Sequence, residues 1–344
     1  MRMAMTQKGD EKSDGSDGMK PAAPTFLRRL RLTWSTADTE TAILVLVLKG
    51  LVLGVAVLSV GTLFDQKETW QTLWTRWDAS HYLNLAKNGY TAKGEGRFSI
   101  VFYPLYPWLV RTAFVLCRNY FAAALLVSGV ASVFAGVLFR RFVELDQPAK
   151  VARLAVWFLF IFPTAYFLHI GYTESLFLAL VIGSLLAARK RFWAVAGVLA
   201  GLASFTRVNG LLLGPTLLVE AWLQYRENRR FDWRWLWIGA AGLGFLAYLW
   251  INYRVTGDPF AFTKVMEKHW YKKLTFPWFG IRDVWWRIPH FNLTEGLHEF
   301  IFIIFSFLCT VWCWIKLRPS YAIWMTLNWL LITSTTYVVS VPRY

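Results

Sequence analysis

Repeated apolar runs of membrane-spanning length constrain this chain more than any other feature. They begin at Thr41, and a bilayer core of about 30 Å needs about 20 apolar residues per helical crossing. Hydrophobic residues make up 56% of the 344 positions and charged residues 17%, which is more apolar surface than a soluble core can bury. Because no alternating β-barrel pattern occurs, we expect an all-α integral membrane protein.

Nine of these runs are interpreted as helical crossings. They lie near residues 42–64, 120–139, 151–170, 174–188, 192–206, 210–225, 235–253, 298–315 and 320–340. The continuous run 192–222 would be about 46 Å long as a single helix, which exceeds a bilayer core of about 30 Å. We therefore divide that run at 206–210, and the chain is expected to cross the membrane about nine times.

Basic residues gather on one side of this predicted topology. With a cytoplasmic N-terminus, the cytoplasmic loops carry Arg140, Arg141, Lys150, Arg153, Arg189, Lys190, Arg191, Arg226, Arg229, Arg230, Lys316 and Arg318. This follows the positive-inside rule, so the net charge of +16 is explained by a membrane, and nucleic acid is not an expected partner. Residues 1–41 are predicted to be a disordered basic cytoplasmic tail, and residues 42–344 a polytopic transmembrane domain.

The first long outer segment, 65–119, contains a short amphipathic helix that is expected to lie at the membrane interface. The helix starts near Asp78 and ends before Gly89. Asp78 has two interpretations, an N-cap or a reactive carboxylate, and spacing alone favours the cap. His81 follows one turn later. A single Asp-x-x-His pair is a weak metal signal, so we interpret His81 as a packing or hydrogen-bonding residue.

Two short outer turns contribute an acid and an arginine. Glu174 follows Thr173 at a helix start, where the helix dipole favours an acid, so a capping role and a site role both stay open. Arg207 lies at or within the outer side of the membrane, where a charge usually faces protein or water. A lysine patch in the second outer segment, 254–297, fits either an interfacial helix or a surface that steers an anionic donor. Its members are Lys264, Lys268, Lys272 and Lys273.

Several motifs in order along the chain resemble those of the GPI mannosyltransferase 2 (PIG-V) family. The motifs are Trp77-Asp78-Ala79-Ser80-His81-Tyr82, Phe102-Tyr103-Pro104-Leu105-Tyr106-Pro107, Phe162-Pro163-Thr164-Ala165-Tyr166-Phe167, Tyr172-Thr173-Glu174-Ser175-Leu176-Phe177-Leu178, Thr206-Arg207-Val208-Asn209-Gly210 and Pro342-Arg343-Tyr344. Each motif alone is weak, but together they span residues 76–344 and are specific. The chain resembles a bacterial-type member. Because the family pattern continues into further helices, C-terminal helices are expected to be missing here.

The resemblance implies a glycosyltransferase of the GT-C type with its active site on the non-cytoplasmic face. Such enzymes move a sugar, typically mannose, from a polyprenyl or dolichyl phosphate to a lipid-linked glycan, with inversion. The resemblance also implies that Asp78 is the catalytic base. Arg207 is the first candidate, and Arg343 the second, to bind the leaving phosphate. Substrate-binding roles are expected for Trp77, His81, Tyr82, Glu174, Arg207, Asn209 and Arg343.

No soluble cofactor and no metal site are expected, because the sequence has neither a Gly-rich nucleotide loop nor an Asp-x-Asp pair, and Cys117, Cys309 and Cys313 form no ligand pattern. The expected partners are membrane lipids, the lipid-linked donor and acceptor, and a small membrane subunit. The absence of a eukaryotic retrieval signal favours a bacterial plasma membrane over the endoplasmic reticulum. A transporter of lipid-linked saccharides and a scaffold subunit are the alternatives, although no internal repeat supports the first.

Overall fold

The structure, a computed structural model, describes residues 33–60, 69–289 and 296–343 and is built from α-helices. The helices are α1 Thr36–Ser59, α2 Trp70–Trp74, α3 Asp78–Asn88, α4 Leu105–Cys117, α5 Tyr120–Val143, α6 Ala149–Ile161, α7 Tyr166–His169, α8 Glu174–Arg189, α9 Trp193–Ser204, α10 Leu213–Asn228, α11 Ala240–Thr256, α12 Ala261–His269, α13 Pro277–Arg287, α14 Leu297–Lys316 and α15 Pro319–Thr333. Short 3-10 helices occur at Glu95–Val101, Pro163–Ala165, Val208–Leu212, Trp233–Gly239 and Val341–Arg343. Across these ranges no β-strand is formed, and the all-α prediction is confirmed.

Among the described residues, four helical stretches are long and apolar enough to cross a bilayer. They are Thr36–Ser59, Tyr120–Val143, Trp233–Thr256 and Leu297–Lys316. Two bent pairs raise the number to six, namely Glu95–Val101 with Leu105–Cys117, bent by 114°, and Ala149–Ile161 with Pro163–His169, bent by 69°. Helices also occupy the other predicted crossings, but α8, α9, α10 and α15 have only 12 to 16 residues. The structure therefore supports four to six crossings by length and composition.

Helix α4 is a departure from the sequence-based topology, which placed residues 105–117 in an outer loop. The helix packs on α5, and the Tyr106 hydroxyl donates to the Ala124 carbonyl over 3.2 Å. Its charged residue, Arg111, donates through Nε to the Ala86 carbonyl over 2.8 Å and through Nη2 to the Lys87 carbonyl over 2.9 Å. These carbonyls lie at the C-terminal end of α3, so an arginine within an apolar helix is satisfied by a neighbouring helix end.

Helix α1 begins at Thr36, six residues before the predicted crossing. Ser35 forms a capping box with Asp38, and this pair of reciprocal hydrogen bonds fixes the helix start. The buried Asp38 carboxylate also accepts from Arg140 Nη2 over 2.5 Å and from Arg141 Nε over 2.9 Å, which ties α1 to the end of α5. Helix α1 thus starts within the range 1–41 that was predicted to be the tail, and residues 1–32 of that range lie outside the described part of the chain.

Charged residues from the predicted cytoplasmic loops meet at one end of the bundle. Arg189, the last residue of α8, donates to Asp146 over 2.8 Å. Arg318, just before α15, donates to the buried Glu220 over 2.8 Å. Glu174 lies at the opposite end of α8, about 22 Å away at 1.5 Å per residue. The bundle therefore keeps this basic end well apart from Glu174.

Close packing of α9 against α11 depends on glycine, and we predict that Gly244→Ala is destabilising. A Cβ at Gly244 would overlap the Gly201 carbonyl oxygen and lie 2.8 Å from the Phe205 nitrogen. Because backbone atoms cannot yield as a flexible side chain does, we expect a loss of about 1–3 kcal/mol in unfolding free energy. Thermal unfolding in detergent measures it. Gly242→Ala, on the same helix with nothing within 4 Å of the added Cβ, is the matched control and should not lower the melting temperature.

Candidate functional site

Four charged side chains from distant parts of the chain meet in one place, and we call them the charge cluster. Asp78 and Glu174 are the first residues of α3 and α8, Arg207 lies between α9 and α10, and Arg343 follows α15. Arg343 Nη1 is 2.7 Å from Asp78 Oδ2, and its Nη2 is 2.7 Å from Glu174 Oε1. Arg207 Nη1 is 2.8 Å from the same Glu174 oxygen. Glu174 thus joins both arginines.

Most of the charge cluster is shielded from solvent. The exposed fraction of the side chain is 7% for Glu174, 9% for Arg343 and 13% for Arg207, whereas Asp78 retains 22%. Two acids and two guanidinium groups give no net charge, so the buried charges are paired, as charges removed from water must be. Asp78 is the most accessible member, which leaves its carboxylate open to an incoming group.

Aromatic rings form one wall of the charge cluster. The Arg343 guanidinium carbon lies 4.7 Å from the ring centre of Phe167 and 5.1 Å from that of Tyr172. Such contacts favour a cation over the ring face and help to hold the Arg343 guanidinium at the cluster. These two rings were not among the predicted site residues, although both lie in motifs of the family resemblance.

The structure excludes the interpretation of Asp78 as only an N-cap. Trp77 occupies the cap position, and its side chain makes no capping hydrogen bond. The Asp78 carboxylate accepts instead from Arg343, 265 residues away in the sequence. Gly89 ends the helix with φ of 77°, as predicted. The local pattern favoured a cap because residue spacing carries no information about so remote an arginine, and the role of Asp78 as a reactive carboxylate stays a prediction.

Thr173 and Tyr82 extend the cluster by hydrogen bonds. Arg207 Nη1 donates to the Thr173 hydroxyl over 3.2 Å, and this hydroxyl lies 3.4 Å from the Tyr82 hydroxyl. Burial raises the pKa of Tyr82, and the nearby carboxylates of Asp78 and Glu174 raise it further. Tyr82 therefore stays a neutral hydroxyl at physiological pH, able to donate or accept a hydrogen bond but not to act as a phenolate.

His81 and Trp77 lie beside the cluster on α3. His81 Nδ1 is 3.2 Å from the Ser99 hydroxyl, and its ring stacks on Phe102 with centres 4.8 Å apart. Burial lowers the pKa of His81, although the Asp78 charge partly opposes this, so the neutral ring is favoured near pH 7. Trp77 is exposed and packs its edge against Tyr166. The geometry gives both rings a packing role, and substrate contact stays a prediction.

The Asn209 side chain hydrogen-bonds to a residue outside the charge cluster. Its Nδ2 donates to Asn328 Oδ1 on α15 over 2.8 Å, so it ties the turn after Arg207 to that helix. A Cβ at the adjacent Gly210 would overlap the backbone of Ser204, which requires glycine here. The Thr-Arg-x-Asn-Gly motif therefore combines one residue of the cluster with two that shape the turn, and the predicted contact of Asn209 with substrate is untested.

The predicted lysine patch lies on and beside α12, a helix without buried residues. Lys264 pairs with Asp258 over 2.6 Å, and Lys273 pairs with Glu267 over 3.2 Å. Both predicted roles, interfacial contact and steering of a donor, stay open.

Within the described ranges no group of three or more His, Cys, Asp or Glu side chains is arranged to hold a metal ion. Tyr344, the last residue of the predicted Pro-Arg-Tyr motif, lies outside those ranges.

The fold and the charge cluster define a multi-pass helical membrane protein with a paired ionic site at one end of its bundle. The chain is similar to GPI mannosyltransferase 2 of Schizosaccharomyces pombe, with 29% identity over 147 residues, 40% of this chain and 30% of that protein. It is also similar to GPI mannosyltransferase 2 of Yarrowia lipolytica, with 26% identity over 157 residues, 44% of this chain and 42% of that protein.

These likenesses are partial. The aligned parts make up less than half the length of each curated relative. No family model matches the chain, and no solved structure matches it. Both relatives carry the name of the family that the sequence motifs resemble.

Proposed function

We propose that this protein is a GT-C type glycosyltransferase that moves a sugar, most simply mannose, from a polyprenyl-phosphate donor to a lipid-linked glycan. The observation that carries the proposal is the charge cluster, in which the most exposed carboxylate, Asp78, pairs with Arg343, and Glu174 pairs with both Arg343 and Arg207. A base and a phosphate-binding pair side by side are what such a transfer requires. The similarity to two GPI mannosyltransferase 2 proteins supports the same class of reaction.

In the proposed step, Asp78 acts as the general base. The acceptor hydroxyl attacks the anomeric carbon from the face opposite the phosphate, and its proton passes to the Asp78 carboxylate. The bond between the anomeric carbon and the phosphate oxygen breaks, and its electron pair stays on the phosphate. Attack from the opposite face inverts the anomeric configuration.

The arginines stabilise the departing phosphate in this scheme. Arg207 and Arg343 both point at Glu174, and a guanidinium group matches the geometry of phosphate oxygens. An incoming donor phosphate competes with Asp78 for Arg343. When Arg343 turns to the phosphate, the Asp78 carboxylate loses its partner and becomes available to the acceptor hydroxyl. Donor binding thereby prepares the base.

The finer topology belongs to the same proposal. A protein of this kind crosses the membrane about nine times and places the charge cluster on the non-cytoplasmic face, since the opposite end of the bundle carries the predicted cytoplasmic arginines. We place it in a bacterial plasma membrane as a bacterial-type member of the group. The reaction needs no soluble cofactor and no metal. Its partners are membrane lipids, the two lipid-linked substrates and a small membrane subunit.

The direct test is sugar transfer by purified protein in liposomes. Synthetic polyprenyl phosphate carrying radiolabelled mannose is the donor, and a total lipid extract supplies acceptors. We expect label to appear in a new lipid-linked product, at the same rate with and without a chelator. GDP-mannose offered in place of the lipid donor should give no product. Transfer from GDP-mannose alone, or activity that requires added manganese, would contradict the proposed donor chemistry.

A second assay addresses the transporter alternative. If the same liposomes move a fluorescent polyprenyl-phosphate sugar between leaflets without transferring the sugar, the enzyme proposal is wrong. The comparisons do not favour this outcome.

A further inference from the structure

Arg343 is carried by an irregular segment, residues 334–343, which we call the exit segment. The segment leaves α15 at Ser334 and reaches the short 3-10 helix Val341–Arg343. Tyr337 has φ of 50° and Ser340 has φ of 63°, in the left-handed region that non-glycine residues seldom adopt. A backbone of this kind persists only where its surroundings hold it in place.

Glu299, in the first turn of α14, holds the end of the exit segment. Its Oε1 accepts from the Ser340 amide over 2.6 Å, and its Oε2 accepts from the Val341 amide over 2.7 Å. The side chain is buried, so both carboxylate oxygens are used on consecutive backbone amides away from water. Hydrogen bonds to a charged acceptor are the strong ones, and two of them fix the peptide just before Arg343.

Arg287, the last residue of α13, holds the middle of the exit segment. Its Nη2 donates to the Val338 carbonyl over 2.6 Å, and its guanidinium carbon lies 5.1 Å from the Tyr337 ring centre. The same nitrogen is 3.0 Å from Asp283, one turn earlier on α13. The beginning of the segment is also tied down, because the Thr336 amide donates to the Lys273 carbonyl over 2.9 Å.

The geometry points to Glu299 and Arg287 as positioning residues for Arg343. Both bind the backbone between residues 338 and 341, so they act on the charge cluster through the exit segment. Arg343 makes two ion pairs of 2.7 Å, and a loose segment would spread its side chain over many positions instead of holding it at the charge cluster. The inference rests on the proposed function in one respect, namely that Arg343 binds the donor phosphate.

The test compares Glu299→Gln with Glu40→Gln. Glutamine keeps the shape of Glu299 but replaces one accepting oxygen with an NH2 group, which cannot accept an amide hydrogen. Glu40 is exposed and pairs only loosely with Arg153, over 3.5 Å, which makes it a matched control. Hydrogen exchange by mass spectrometry should show at least about tenfold faster exchange of the 334–343 peptide in Glu299→Gln only, because its protecting bonds are lost.

Kinetics separate positioning from general damage to the fold. We expect Glu299→Gln to raise the KM for the donor more than about fivefold with a smaller change in kcat, since donor binding is what Arg343 serves. In an Arg343→Ala background the same substitution should have no further effect. Arg287→Lys, which keeps the charge but loses the fork, provides a second variant with the same expected pattern.

Two outcomes overturn the inference: exchange of the exit segment that matches the Glu40→Gln control, or losses that multiply in the double variant. Faster exchange in a protein whose wild type transfers no sugar would instead support the anchoring by Glu299 and refute the proposed function. The exchange measurement thus keeps the two claims distinguishable.

Discussion

Asp78→Asn should reduce sugar transfer by about 10²- to 10⁴-fold, the usual contribution of a positioned general base. Asparagine has nearly the shape of aspartate and can still accept a hydrogen bond from Arg343, but it cannot take a proton from the acceptor hydroxyl. The loss should therefore fall on kcat, and the KM for the donor should not rise, because a neutral side chain competes less with the donor phosphate for Arg343. Initial rates with the radiolabelled lipid donor, at matched protein levels, measure both constants.

The matched control for this variant is Asp258→Asn. Asp258 is also an outer-segment aspartate with a basic partner, Lys264 at 2.6 Å, but it lies outside the charge cluster. We expect its transfer rate to equal that of the wild type. Asp78→Asn with normal transfer would remove Asp78 from the role of base, and a severe loss in Glu174→Gln alongside it would point to the other carboxylate of the cluster.

Arg343→Ala is expected to impair both stability and transfer. Asp78 loses its arginine, and the buried Glu174 retains only Arg207. Removing one partner of a buried ion pair costs about 3–5 kcal/mol, because the remaining charge is left without compensation in a poorly solvated place. We expect a value near the lower limit, about 3 kcal/mol, because Glu174 keeps one guanidinium partner. Thermal unfolding in detergent measures this loss.

Graded substitutions test the same residue in the reaction. Arg343→Lys keeps the positive charge but loses the planar fork, so it should retain more stability than alanine while still binding the donor phosphate poorly. Arg234→Ala is the control, since Arg234 is an exposed arginine whose partner, Asp232, lies two residues away. If Arg343→Lys and Arg343→Ala both bind the donor as tightly as the wild type, Arg343 has no phosphate role.

The candidate site was only partly predictable. Asp78, Glu174, Arg207 and Arg343 were each predicted from a separate sequence motif, and the structure links these four side chains by three ion pairs. The pairing itself was not foreseen, because each local pattern has its own local explanation, such as a cap or a helix start. The wall of Phe167 and Tyr172 was missed for a similar reason, since aromatic residues in a membrane protein usually indicate only packing or an interface.

The helices were likewise predictable in some respects and not in others. The long apolar helices were predictable because a bilayer requires about 20 apolar residues per crossing, and apolar runs of that length can be seen in the sequence. The start of α1 at Thr36 was not, since it depends on the buried Asp38 meeting two arginines at the end of α5. The link between α4 and α3 likewise depends on a tertiary contact, since Arg111 donates to carbonyls at the end of α3.

The sequence by itself determined that this protein is helical, that it is suited to a membrane, and which charged residues are unusual for their surroundings. The solvent imposes these properties residue by residue, so they can be deduced from local composition. Only the tertiary structure decided that Arg343 joins Asp78 to Glu174 and that Glu299 holds the segment that carries it. Such contacts join residues far apart in the chain, and a buried charge is stable only where the tertiary structure places its partner beside it.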